Sequence, residues 1–222
     1  MTDKTIVLFF NGYSTPKTVY KNFMNNNIKI VFHNWTYVLY TGNIDSYLKN
    51  IYRKYYNKKV VLIGHSYGAS IALYYLSKYK KHIKSMILLD YHRLTKPLIS
   101  YIQKKTLVNN FFPPCSLHTQ EQVKKIYSVM NMNMLRRVSI FMMTSYKRYM
   151  TAVPILFIYS TIIDNKLNHT CVNDENIPLI KHYKNQKYIF LKNSSHFWFM
   201  NKKSLYSDVF YTIYNFIQIK ED

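Results

Sequence analysis

Residues 60–69 read V-V-L-I-G-H-S-Y-G-A, and no other stretch constrains the fold as tightly. A run of branched apolar residues ends at Gly64, and an apolar helical pattern opens at Ala69. The chain holds four glycines in 222 residues, and two of them, Gly64 and Gly68, flank Ser66. Where a strand turns sharply into a helix, the residues two before and two after the apex must be small, because the two elements nearly touch there. G-x-S-x-G in that setting lifts Ser66 above the edge of a sheet in a strained backbone conformation. Glycine is so rare in this chain that chance accounts poorly for the pattern. The helix beginning near Tyr67 also points its N-terminus at Ser66, which favours developing negative charge.

The rest of the chain supplies strands and helices in alternation. Thr5–Phe10, Ile28–Phe32, Lys59–Ile63, Ile83–Leu89, Val153–Tyr159 and Tyr188–Leu191 are short apolar runs that read as strands, the first of them buried. Pro154 fits only the first residues of its strand. Asn43–Tyr56 carries Ile44, Tyr47, Leu48, Ile51 and Tyr55 at helical spacing, Ala69–Tyr79 is apolar nearly all round, and Leu205–Ile219 is a closing amphipathic helix. Strands alternating with helices imply a parallel sheet covered on both faces. Residues 91–151 break the pattern, with Pro97, Pro113-Pro114 and Met-rich stretches, and read as an insertion over one end of the sheet.

At 222 residues and 48% hydrophobic, the chain can bury one sizeable core, and one domain is the default. No run is long and apolar enough to span a bilayer, and Ile6–Phe10 is too short for a signal-peptide core. Cys115 and Cys171 sit in no metal-ligand spacing and suggest no disulfide framework, so a cytoplasmic, reducing compartment is expected. Nothing in the sequence calls for a cofactor or a metal. The net charge of +21 is extreme. An AT-rich coding bias explains the excess of Lys over Arg, but not the shortage of Asp and Glu. Such a field attracts acidic partners: an acidic carrier protein, an anionic membrane surface or, less readily, nucleic acid.

A serine hydroxyl is a poor nucleophile until a base takes its proton. His65 is set aside as that base, since its side chain at the x position points away from Ser66. At this point four stretches together resemble the α/β-hydrolase superfamily: F-F-N-G-Y at 9–13, G-H-S-Y-G-A at 64–69, V-P-I-L-F-I-Y-S-T-I-I-D at 153–164 and S-S-H-F at 194–197. The resemblance covers nearly the whole chain. It implies an α/β-hydrolase fold: a mostly parallel sheet of about six strands, helices on both faces and a helical cap insertion at 91–151. It implies Ser66 as nucleophile and His196, between the last strand and the closing helix, as base. It also implies an oxyanion hole made by the backbone N–H groups of Tyr13 and Tyr67. Asn11 stands where that family commonly has His, and Asn11-Gly12 is equally a common turn dipeptide.

The acid follows the same order of Ser, acid, His. Between the cap and His196 stand Asp164, Asp174 and Glu175. Asp164 is preferred, because it follows the fifth strand closely; Asp90, which closes the fourth strand, is the alternative. The usual first two antiparallel strands are missing, as is the family's Asp-x-Gly-x-Gly loop after the second strand, so a trimmed hydrolase is expected. Phe111-Phe112, Met130, Met132, Met134 and Met142-Met143 offer soft apolar surface for an acyl chain, or simply pack the cap. The expected activity is hydrolysis of carboxylic esters or thioesters of an apolar acyl group on a small-molecule or lipid substrate. The chain is also similar to small pimeloyl-carrier-protein methyl ester esterases. The competing reading is an idle fold whose basic surface engages nucleic acid or anionic membrane.

Overall fold

The computed structural model describes residues 5–13, 15–24, 28–35, 38, 43–91, 153–160, 186–191, 194 and 196–218. Nearly all of the expected cap, together with Cys115, Asp164, His169, Cys171, Asp174, Glu175 and His182, lies outside the described residues.

Six strands form the sheet: β1 (Thr5–Phe10), β2 (Ile28–His33), β3 (Val60–His65), β4 (Ile83–Leu89), β5 (Ile155–Ser160) and β6 (Gln186–Leu191). Their order is β2-β1-β3-β4-β5-β6, and every neighbouring pair is parallel. Three α-helices run within the described residues: α1 (Ile44–Tyr55), α2 (Tyr67–Tyr79) and α3 (Ser207–Gln218). None of the described helices is long and apolar enough to cross a membrane.

Parallel strands buried on both sides need apolar residues at every position, and the period of two then sorts them by face. Ile6, Leu8, Phe10, Val60, Leu62, Met86, Leu88, Ile155 and Phe157 pack on the side that receives α1 and α2. Val7, Phe9, Val61, Ile63, Ile87, Leu89, Leu156 and Ile158 face the other way, onto α3 and the 3-10 turns at Lys17–Phe23 and Trp198–Met200. That second layer is largely aromatic: Tyr20, Phe23, Trp198, Phe199 and Phe210 fill it. The two turns are also stitched together, since the Asn22 side-chain amide donates to the carbonyls of Phe199 at 2.6 Å and Asn201 at 2.8 Å.

The strand order places the site. From β1 the chain moves outward to β2, then crosses back to β3 and continues the opposite way. The loops leaving β1 and β3 therefore diverge, and a crevice opens at the C-terminal ends of these two strands. Ser66 follows β3, and Asn11-Gly12 follows β1.

The six expected strands and the three expected helices outside the cap are present, with shifted ends. β3 runs on to His65 instead of stopping at Ile63, because the sheet ladder continues through the turn, with Ser66 N–H donating to the Leu89 carbonyl at 2.8 Å. α2 opens at Tyr67 rather than Ala69, and α1 takes Asn43 as its N-cap, whose side chain accepts from Ser46 N–H at 2.9 Å. Pro154 stands before β5 rather than in it, where its carbonyl accepts from Met86 N–H at 2.9 Å. The 3-10 turns carry no apolar periodicity long enough to read, and the sequence did not reveal them.

Two glycines set how closely α2 lies on the sheet. A Cβ at Gly68 would stand 2.2 Å from the Phe10 carbonyl oxygen, and one at Gly64 would stand 2.4 Å from Ala69 Cα. Both obstacles are backbone and cannot swing aside. Gly68→Ala is expected to lower unfolding free energy by about 3 kcal/mol or more. Urea denaturation checks this, and a wild-type midpoint for the variant would refute the close-packing account.

Candidate active site

The only non-glycine residues with positive φ among the described residues are Ser66, at φ 53°, and Asp90, at φ 47°. Each such residue costs on the order of 1–3 kcal/mol, and such strain collects at functional sites. Both follow the C-terminal end of a central strand, Ser66 after β3 and Asp90 after β4. Sheet hydrogen bonds hold both in place: Ser66 N–H donates to Leu89, and Asp90 N–H donates to the Ile158 carbonyl at 2.8 Å. Ser66 is partly exposed, as an attacking group must be, while Asp90 is fully buried.

His196 lies buried in the turn before Trp198–Met200. Its Nδ1 stands 3.6 Å from Asp90 Oδ2. That is an ion-pair distance rather than a hydrogen bond, and a shift of a few tenths of an ångström would close it. Asp90 Oδ2 has no hydrogen-bond partner among the described residues, so it is a buried acceptor aimed at the imidazole. The other carboxylate oxygen is anchored: Oδ1 accepts from Ser160 N–H at 2.5 Å and from Ser160 Oγ–H at 2.8 Å. Burial pushes the Asp90 carboxyl up to about 7, against the opposing pull of the two Ser160 hydrogen bonds.

The loop after β1 brings the expected oxyanion residues to the same place. Tyr67 is the first residue of α2, and the rings of Tyr13 and Tyr67 lie 6.1 Å apart. Asn11 holds the loop by donating from Nδ2 to the Thr15 carbonyl at 3.0 Å, and its own carbonyl accepts from Trp35 Nε1–H at 2.6 Å. A Cβ at Gly12 would stand 2.7 Å from His65 Nδ1, so the loop lies directly on His65.

Of the residues read from the sequence, His196 faces Asp90, the rings of Tyr13 and Tyr67 are in contact, and Ser66 stands between Gly64 and Gly68 at the end of β3, beside the strand that Asp90 follows. Asp164 falls outside the described residues, and Asp90 is the carboxylate that faces His196. His65, Asp90 and His196 form a buried cluster in which one ring nitrogen or carboxylate oxygen from each lies within 4.8 Å of the other two. Their donor atoms are already engaged: Asp90 toward His196, and both His65 nitrogens in hydrogen bonds of their own. The sequence reading passed over Ser160 and Tyr20. A polar residue closing the wholly apolar run of β5 was the available signal for Ser160; for Tyr20 there was none.

A family model described as the alpha/beta hydrolase fold matches residues 8–113. The chain has the α/β-hydrolase fold. Solved structures of that fold align along almost all of it. MenH from S. aureus is 16% identical with a TM-score of 0.71, covering 98% of this chain and 95% of its own. A putative lipase from Acinetobacter baumannii is 15% identical with a TM-score of 0.65, covering 98% of this chain and 86% of its own. A lipase-esterase related protein from Clostridium acetobutylicum is 13% identical with a TM-score of 0.64, covering 97% of this chain and 95% of its own. No curated protein sequence matches the chain.

In this α/β-hydrolase fold the buried carboxyl of Asp90 has a signature in stability. Its folded pKa, about 7, lies above the ordinary 3.8, so between these values the native state holds a proton that the unfolded state has released. That contribution to stability is therefore lost as pH rises through this window. Half-buried His33, whose pKa desolvation lowers to about 4, works in the opposite direction, which makes the variant comparison the informative one. Asp90→Asn is expected to gain stability relative to wild type as pH rises from 4 to 7, with no further change above. Parallel pH slopes of the two proteins in chemical denaturation would contradict this.

Proposed function

We propose that the protein is a serine hydrolase that cleaves carboxylic ester or thioester bonds of an apolar acyl substrate through Ser66, His196 and Asp90. What supports this reading is a strained, partly exposed Ser66 at the end of β3 and, at the end of the neighbouring β4, a carboxylate oxygen of Asp90 that faces the buried imidazole of His196.

Ser66 Oγ attacks the acyl carbon while His196 takes its proton. The imidazolium so formed is held by Asp90 through Nδ1–H, and the Ser160 donors keep that carboxylate aimed. Negative charge on the former carbonyl oxygen is received by the N–H groups of Tyr13 and Tyr67, at the N-terminus of α2. Collapse of the tetrahedral species expels the alcohol or thiol, which leaves with the proton from His196. Water, activated by the same base, then releases the acid and frees Ser66.

The apolar acyl group is supported by the aromatic residues beside Ser66: the Tyr13 ring lies 6.1 Å from that of Tyr67 and 6.4 Å from that of Trp35. The structures similar to this one that are called a lipase and a lipase-esterase related protein share the fold on which this chemistry would run. An acidic acyl carrier or an anionic lipid surface suits the net charge of +21.

A fluorophosphonate probe is expected to label wild type at Ser66 and to leave Ser66→Ala unlabelled. A folded wild-type protein that takes up no label would refute the proposal. On p-nitrophenyl esters of graded chain length, Ser66→Ala is expected to lose activity by about 10⁴-fold or more, and Asp90→Asn by about 10⁴-fold. Full activity in Asp90→Asn would shift the acid role to another carboxylate, Asp164 first.

A further inference from the structure

His65 occupies the x position before the nucleophile and follows the strand alternation to the α3 face, away from Ser66. There it is fully buried, and a buried imidazole needs partners for both nitrogens. Nδ1 lies 2.9 Å from the Tyr20 hydroxyl, and Nε2 lies 3.2 Å from the backbone carbonyl of His196. The Tyr20 hydroxyl in turn accepts from Gly12 N–H at 2.7 Å.

For a neutral imidazole the proton count has one solution. A carbonyl only accepts, so His65 Nε2 carries the proton. Nδ1 is then bare and accepts from Tyr20 O–H, whose oxygen accepts from Gly12. The result is a directed chain from the loop after β1, through a tyrosine and a histidine, to the main chain of His196. It spans three segments far apart in sequence. The His65 ring also lies against the His196 ring, with centroids 4.7 Å apart. The turn carrying Tyr20 is itself pinned to the segment after His196 by Asn22.

We propose that Tyr20 and His65 are positioning residues for the hydrolase site, fixing the oxyanion loop and the base relative to each other. This rests on the hydrolase reading above. Neither residue touches substrate. Their hydroxyl and ring set where the Gly12-Tyr13 peptide stands relative to His196, and a displacement of about 1 Å at such groups costs on the order of 100-fold in rate.

Tyr20→Phe keeps the buried ring and removes only the hydroxyl. With p-nitrophenyl acetate, kcat is expected to fall roughly 10- to 100-fold with KM within about twofold of wild type, because the lost geometry matters in the transition state. Tyr214→Phe is the structural control. It removes a hydroxyl that donates to the Asn22 carbonyl at 3.2 Å, on the same turn but outside the chain, and it is expected to leave kcat unchanged. Nitrogen-15 NMR of the wild-type imidazoles gives a readout independent of turnover: His65 is expected as the Nε2-protonated tautomer. A Tyr20→Phe enzyme with wild-type kcat, or an equal fall in Tyr214→Phe, overturns the positioning role. A protonated Nδ1 overturns the hydrogen-bond chain itself. A wild-type protein inert to ester and to fluorophosphonate overturns the hydrolase reading, and the ring nitrogens then still decide whether the chain exists.

Discussion

The site depends on how closely one helix can lie against two strands. At Gly64 and Gly68 there is no room for a methyl group, because the opposing atoms are main chain. Only that contact lets β3 pass directly into α2, and only that passage leaves Ser66 at a positive φ with its side chain raised over the sheet edge. A looser crossing would relax the serine and move the helix N-terminus away from the crevice.

Electrostatics on the other side of the crevice follow a similar economy. Asp90 is buried where an isolated carboxylate would be strongly disfavoured, and its two oxygens have different surroundings. One takes both donors of Ser160; the other faces His196 alone. The arrangement holds the carboxyl in one orientation while leaving it poorly solvated, so a cation on His196 relieves a cost already present in the resting state. The strain at residue 90 and its desolvation act on the same group.

The strands and helices were legible because each carries a periodicity of its own. The alternation of Val61 and Ile63 against Val60 and Leu62 is enough to predict a sheet covered twice. Ser66, the proposed nucleophile, was legible because the turn that carries it demands glycine at fixed spacing. His196 was legible only through its place in the chain order. The acid was not settled by sequence: Asp164 and Asp90 both follow a strand, and spacing cannot say which loop folds back toward the imidazole. The Tyr20–His65 connection was invisible, since a tyrosine in a 3-10 turn and a histidine in an apolar strand have no shared pattern. Hydrogen-bond satisfaction in the folded core identifies them, and that requires the tertiary arrangement.

The sheet order also has a consequence for synthesis. The groups of the site are drawn from residues 11 to 196, and the base arrives last. While the ribosome is still adding the final segment, the emerging polypeptide can form its central strands and expose Ser66, yet it has no imidazole to activate it. Under the proposed serine-hydrolase mechanism, a product terminated before His196 would carry Ser66 without its base, and reactivity would arrive only when the aromatic segment Trp198–Met200 docks on the Lys17–Phe23 turn.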